Sequence, residues 1–179
     1  MQKKIGGALI TLAQGDITKI AVDAIVNAAN CELIGGGGVD GAIHRAAGPE
    51  LMRELSSVRP PNGCPTGSAV ITKAYKLPAQ WVIHAVGPVW RGGDFQEDLD
   101  LADAHKKSLE LAGEKNAVRV SFPAISTGVY GYPVEKAAAV ALGTVASILR
   151  DGKTSVKEAV FVLFSKGALE TFEKALESL

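Results

Sequence analysis

The residues in this sequence best suited to handling an anion or moving a proton fall in a few short polar stretches. They are Asp16-Ile17, Asn27 through Asp40, Ser126 through Gly131, and Phe164-Ser165. In the second stretch the run Gly35–Gly38 has no lysine and leads directly into Val39 and Asp40. Glycines let a phosphate come close to backbone N–H groups, and the first turn of a helix presents those groups with partial positive charge. Gly37, Gly38 and Val39 are therefore candidates for anion contact. The loop Ser126-Thr127-Gly128-Val129-Tyr130-Gly131 offers a second such set, and the two together would clamp a diphosphate. Taken singly, each loop reads equally well as a tight turn. Asp40, near a helix start, is either a favourable partner of the helix dipole or, beside a bound diphosphate, a general base. His44 follows one helical turn later on the same face.

Two common phosphate motifs fit poorly. Gly36 to Gly41 spells G-x-G-x-x-G, but in a dinucleotide-binding unit the first glycine follows its strand at once and an acid ends the next strand about 20 residues on. Here a loop intervenes before the glycines, and Pro60-Pro61 occupies the place of the acid. No glycine-rich segment ends in Gly-Lys-Ser or Gly-Lys-Thr, which excludes a Walker-type phosphate loop.

These loops need strands and helices to aim them. Apolar runs predict strands at Ala8–Gln14, Ala24–Val26, Ala69–Thr72, Trp81–Val86, Val118–Phe122 and Ala159–Phe164. Helical spacing predicts helices over Val39–Ala47, stopped by Gly48-Pro49, over Leu99–Leu111, from Pro133 to about Arg150, and from about Ala168 to Leu176. Interleaved strands and helices imply a twisted sheet covered on both faces, and ligands of such sheets bind beyond the carboxyl ends of the strands. His84 lies inside an apolar strand and reads as core, whereas His105, on a charge-rich helix, is expected to face solvent.

Composition bounds the possibilities. The 179 residues suit a single domain spanning 1–179, 47% apolar and 21% charged. Nineteen basic residues balance 19 acidic ones, which removes the usual electrostatic footprint of a nucleic-acid binder. The N-terminus lacks a signal-peptide pattern and no apolar stretch is long enough for a membrane span, so a cytoplasmic protein with no membrane partner is expected. Cys31 and Cys64 make neither a disulfide framework nor a C-x-x-C pair.

Gly15-Asp16-Ile17-Thr18, Asn27-Ala28-Ala29-Asn30, Gly35 through His44, and Ile125 through Pro133 together resemble the successive signatures of MacroD-type macrodomains, in family order and spacing. The resemblance runs from about Leu9 to the last helix. It implies a three-layer α/β/α fold around a mixed, mostly parallel sheet of about six strands, with ADP-ribose across the strand ends. By that resemblance Asp16 accepts a hydrogen bond from the adenine amino group, helped by the Ile17 N–H, and Phe164 packs on the adenine ring. Asn30 holds the distal ribose and the reacting centre, Asn27 supports the same region, and Tyr130 closes over the ribose. Asn30 and Asp40 are then the catalytic pair, driving water onto an ester of O-acetyl-ADP-ribose or of mono-ADP-ribose carried on protein carboxylates. Each role has a plainer alternative: Asp16 as a helix cap, the two asparagines as turn amides, Phe164 as core, His44 as a structural histidine. Cys31 reads as a small neutral residue. A related macrodomain group holds zinc with Cys and His after the paired asparagines, where this chain has glycine, so metal-free chemistry is expected. No cofactor and a monomer are expected as well. A non-catalytic ADP-ribose reader and a nicotinamide-dependent oxidoreductase are the alternatives in function.

Overall fold

The computed structural model describes residues 1–179. In chain order the elements are β1 (Gln2–Ile5), β2 (Ala8–Gln14), a 3-10 turn (Ile17–Lys19), β3 (Ala24–Ala28), α1 (Gly38–Ala47), α2 (Pro49–Val58), β4 (Ala69–Lys73), β5 (Trp81–Ala85), α3 (Glu97–Glu114), β6 (Arg119–Phe122), α4 (Val134–Asp151), β7 (Glu158–Leu163) and α5 (Lys166–Glu177). The strands form one seven-stranded sheet in the order β1-β2-β7-β6-β3-β5-β4. The five central strands run parallel, and β1 and β4 add antiparallel edges.

Side chains alternate across the sheet with the strand period. Val26, Ile83, Val120, Phe122, Ala159 and Phe161 enter a 31-residue core with α3, α4 and α5. Their neighbours Ile25, Val82, Val160 and Val162 enter a smaller 10-residue core with α1 and α2. This is the three-layer arrangement, with its thinner apolar layer beneath the loops of interest. Helix α4 buries Ala137, Ala138, Ala141, Val145 and Ala146, small residues that allow close approach to the sheet.

Two elements escaped the sequence pattern, and the sheet has seven strands where six were expected. Strand β1 is short and charged, and its existence depends on the hairpin at Gly6-Gly7, where Gly6 takes φ +59°. Its Lys3 Nζ donates to the carbonyls of Leu176 and Glu177 at 2.9 and 3.1 Å, capping α5. The pair Gly48-Pro49 does end α1, but it also begins α2: Gly48, at φ +91°, turns the chain, and Pro49 sits in the first turn, where a missing N–H costs nothing. Leu51 and Leu55 then bury one face of α2. His105 is a correction, since it is fully buried against Phe122 at 5.6 Å between ring centroids, with Nδ1 2.8 Å from the Leu101 carbonyl. Apart from Glu97, the charged residues of α3 lie on its other faces. No helix is long and apolar enough to cross a membrane.

Candidate functional site

The sheet order places four loops side by side at the carboxyl ends of parallel strands: Asp16 after β2, Phe164 after β7, Ser126–Gly131 after β6, and Asn27–Asp40 around the end of β3. From β2 to β3 are three strand spacings, roughly 14 Å at about 4.8 Å each. At the β2 end, the Gly15 N–H donates to the Leu163 carbonyl at 3.0 Å, which ties the Asp16 turn to the Phe164 turn. Asp16 Oδ1 accepts from the Thr18 N–H at 2.9 Å and from the Thr18 hydroxyl at 2.7 Å. The capping role is therefore present, carried by one oxygen, and the Thr18 bonds lower the Asp16 pKa. Asp16 Oδ2 has no such partner, while Ile17 is buried. Phe164 is 88% exposed, which removes the core alternative for that ring.

At the β3 end the side chains converge. Asn27 is completely buried, and its Nδ2 donates to Asp40 Oδ1 at 2.8 Å. His44 Nε2 lies 3.2 Å from the same oxygen, but off the line of a good hydrogen bond. Asn30 spans the glycine loop, with Nδ2 donating to the Gly35 carbonyl at 2.8 Å and Oδ1 accepting from the Ile34 N–H at 3.2 Å. It thus performs the turn-amide role. A Cβ on Gly36 would lie 3.3 Å from Asp40 Oδ2 and 3.8 Å from Asn30 Nδ2, so the two groups face the same backbone from one side. A Cβ on Gly41 would come 2.6 Å from the Gly36 carbonyl, so the loop can fold over α1 only because Gly41 has no side chain. Gly37 caps α1 without a side-chain bond, and Gly38 opens the helix at φ +57°. The first N–H groups of α1, from Gly38 and Val39 onward, therefore remain available to an anion.

The second glycine loop stands beside the first because β6 and β3 are neighbours. Its path is fixed from within. Thr127 Oγ1 donates to the Ala124 carbonyl at 2.8 Å, the Gly131 N–H to Gly128, and the Tyr132 N–H to Ser126, both at 3.0 Å. Ser126 takes φ +68°, a costly conformation for a non-glycine residue, and its buried hydroxyl has no partner in the protein. Val129 is fully exposed, and a Cβ on Gly128 would meet no atom within 4 Å. Tyr130 is half-buried, and its phenol pKa is raised by burial and by the charges of Cys31, Glu32 and Asp40.

The Macro domain family profile matches residues 26–141. The chain belongs to this family. It is 55% identical to a Macro domain-containing protein of Caldanaerobacter subterraneus subsp. tengcongensis, over 95% of this chain and 97% of that one. It is 53% identical to a protein of Escherichia coli named O-acetyl-ADP-ribose deacetylase, over 93% and 94% of the two chains. A solved structure of the Oceanobacillus iheyensis macrodomain with ADP superposes with a TM-score of 0.95 at 41% identity, covering 99% of this chain and 95% of that one. A Trypanosoma brucei macrodomain in complex with ADP-ribose gives 0.85 at 42% identity, covering 93% and 68%.

Several residues that shape this macrodomain's site carried no evident signal. A Cβ on Gly87 would lie 2.2 Å from Ser126 Oγ and 2.4 Å from Ile125 Cγ2, so the second glycine loop rests on bare backbone there. Glu97, 2% exposed, accepts the N–H groups of Arg91, Gly93 and Phe95 at 2.9, 3.1 and 2.7 Å. Burial alone would raise its pKa, but these donors outweigh it and bring the value down to about 2. The segment so gathered holds Trp90, whose N–H donates to the Tyr130 carbonyl at 2.8 Å and whose ring packs on Tyr132 at 4.7 Å. Tyr132 in turn donates its hydroxyl to Asp98. An acid in the first turn of a helix just after Gly92-Gly93 was the one available hint. No three His, Cys, Asp or Glu side chains stand close enough to share a metal ion.

Proposed function

We propose that residues 1–179 act as one macrodomain that binds ADP-ribose and hydrolyses esters on its distal ribose. The substrates in this reading are O-acetyl-ADP-ribose and mono-ADP-ribose ester-linked to acidic side chains of proteins. What carries it is the meeting of Asn27, Asn30 and Asp40 at the opposite end of the loop row from Asp16 and Phe164. The row would take adenine between the Asp16 Oδ2 and the Phe164 ring, diphosphate between the two glycine loops, and distal ribose under Tyr130. Asp40 Oδ1 is held by Asn27, so Oδ2 is left to accept a proton from water as that water adds to the ester carbonyl. The bond to the ribose oxygen then breaks as that oxygen takes the proton back from Asp40, giving ADP-ribose and a carboxylic acid that ionises to acetate or to a free protein carboxylate. The names of the Escherichia coli relative and of the ADP- and ADP-ribose-bound neighbours support the same ligand. The proposed step uses no metal, and no three His, Cys, Asp or Glu side chains stand close enough to hold one; turnover should survive a chelator, and loss restored by zinc would overturn that feature.

The test is steady-state deacetylation alongside calorimetric ADP-ribose binding. Asp40→Ala should lose about 10²–10⁴-fold in kcat while keeping most affinity, since the adenine and diphosphate contacts lie elsewhere. Asn30→Ala should lose kcat and also raise KM, because Asn30 clamps the glycine loop. A wild-type protein that binds ADP-ribose tightly but turns over no ester would be a reader. Full kcat in Asp40→Ala would remove Asp40 as the base.

A further inference from the structure

Behind the Asp40 centre a buried polar chain runs on from Asn27 to His84 and Thr72, which the proposed reaction does not itself use. In the parallel register of β3 and β5, Asn27 pairs with His84. Thr72 on β4 completes the chain, and Asn27, His84 and Thr72 are each at most 1% exposed. Asn27 Nδ2 lies 2.8 Å from Asp40 Oδ1 and 3.2 Å from His84 Nδ1. On the far side His84 Nε2 lies 2.9 Å from Thr72 Oγ1, whose own hydroxyl donates to the Lys73 carbonyl at 3.1 Å.

Hydrogen-bond chemistry allows one proton arrangement along this chain. The Asp40 carboxylate only accepts, so the Asn27 atom facing it must be the NH₂ group. That same nitrogen faces His84 Nδ1, which must then accept and carry no proton. The ring proton sits on Nε2, donating to Thr72, whose hydroxyl is already committed as donor to Lys73. Burial, reinforced by His44 nearby, keeps His84 neutral with a pKa near 3, despite the opposing pull of Asp40. Both Asn27 donors are thereby spent, and its Oδ1 is left buried without a partner in the protein.

We propose that His84 is a positioning residue: through its unprotonated Nδ1 it orients the Asn27 amide, which in turn holds the Asp40 carboxylate and leaves the Asn27 carbonyl oxygen free for a substrate hydroxyl. This rests on the reading of Asp40 as the base. A flipped amide would set its oxygen against both the Asp40 carboxylate and the His84 lone pair, and only the neutral Nε2–H ring makes that flip unfavourable from both directions. His84 touches no substrate atom and acts through Asn27 alone.

Two substitutions separate this role from simple packing. His84→Asn can place an acceptor where Nδ1 stands, whereas His84→Gln reaches the Nε2 position and Thr72 but leaves Asn27 without its partner. Gln replaces more of the buried ring and should be the more stable variant. The expectation is the opposite order in kcat: His84→Gln falls roughly tenfold to a hundredfold with little change in affinity for ADP, which lacks the distal ribose, and His84→Asn recovers much of that loss. A kcat that merely follows thermal stability across the two variants would overturn the proposal. Nitrogen-15 NMR of wild-type protein at neutral pH provides an arm independent of folding and of turnover. It should show Nδ1 unprotonated and Nε2 protonated; an Nδ1–H ring or an imidazolium would overturn the proposal. If wild type turns over no ester, the reading of Asp40 as base fails separately, while the ring tautomer and the preference for ADP-ribose over ADP in the two variants still decide the role of His84.

Discussion

Asp16 shows how one side chain can answer two readings at once. Its Oδ1 caps the turn after β2, and its Oδ2 is free for the adenine amino group. The roles come apart by substitution. Asp16→Ala should weaken ADP-ribose binding by about 1.5–3 kcal/mol, the scale of a charge-assisted hydrogen bond, and should lose roughly 1 kcal/mol of stability with the cap. Asp16→Ser keeps a capping oxygen, so its melting temperature should stay near wild type while adenine selectivity is lost. Calorimetry with ADP-ribose and with inosine diphosphate ribose, which lacks the amino donor, checks this. Undiminished binding of both ligands in Asp16→Ser, or equal losses for both in Asp16→Ala, would leave Asp16 as a cap alone. The sequence made Asp16, Asn30 and Asp40 visible because each stands beside a glycine-rich or strand-end signal. It could not apportion their oxygens and nitrogens, because Thr18, Gly35 and Asn27 claim them through geometry.

At the level of elements, the loops that would hold substrate are set by neighbours far away in the chain. Gly87→Ala should displace the Ser126–Gly131 loop, since its Cβ would overlap Ser126 Oγ and Ile125 Cγ2. The expected cost is about 1–3 kcal/mol of stability, with a fall in ADP affinity; thermal melts and ADP titration measure both, and unchanged ADP affinity would show that the loop does not contact diphosphate. Glu97 anchors the Trp90 segment under the same loop. Its pKa falls from an ordinary 4.5 to about 2, so its contribution is present above pH 4.5 and is lost as pH drops toward 2. Glu97→Gln should therefore melt lower than wild type at neutral pH, with the gap closing below pH 4.5. A gap that stays constant with pH would mean that Glu97 acts by shape rather than by charge.

For the whole molecule, the buried histidines set a second acid response. Burial lowers His105 to a pKa of about 4, against the upward pull of its bond to Leu101, and His84 lies near 3. Between the ordinary value of 6.5 and these values the unfolded chain binds protons that the folded chain refuses. Stability is thus complete above about pH 6.5 and declines as pH falls through this window. His105→Gln should flatten the decline between pH 6.5 and 4 without changing ligand affinity, because His105 sits on the buried face of α3 among Phe122 and Phe161. Denaturant melts across that range test it, and an unaltered slope would assign the acid response elsewhere.

What the sequence determined by itself is local. Short apolar runs specify six of the strands, helical spacing most of the helices, and glycine, asparagine and aspartate at their junctions mark the loops where an anion and a reacting centre could sit. Strand β1 and helix α2 stayed hidden because a charged edge strand has no alternation to show and Gly48-Pro49 both ends one helix and starts the next. Tertiary structure alone decided the order β2-β7-β6-β3, which lines up Asp16, Phe164, the second glycine loop and Asp40 in a row. It also decided the register that sets His84 against Asn27, and the clearance at Gly87 beneath Ser126. The physical reason is the same throughout. Periodicity reports which side of an element is apolar, but which distant strand pairs with it, and which buried donor meets which acceptor, is settled only when the sheet closes and every polar group inside it must find a partner.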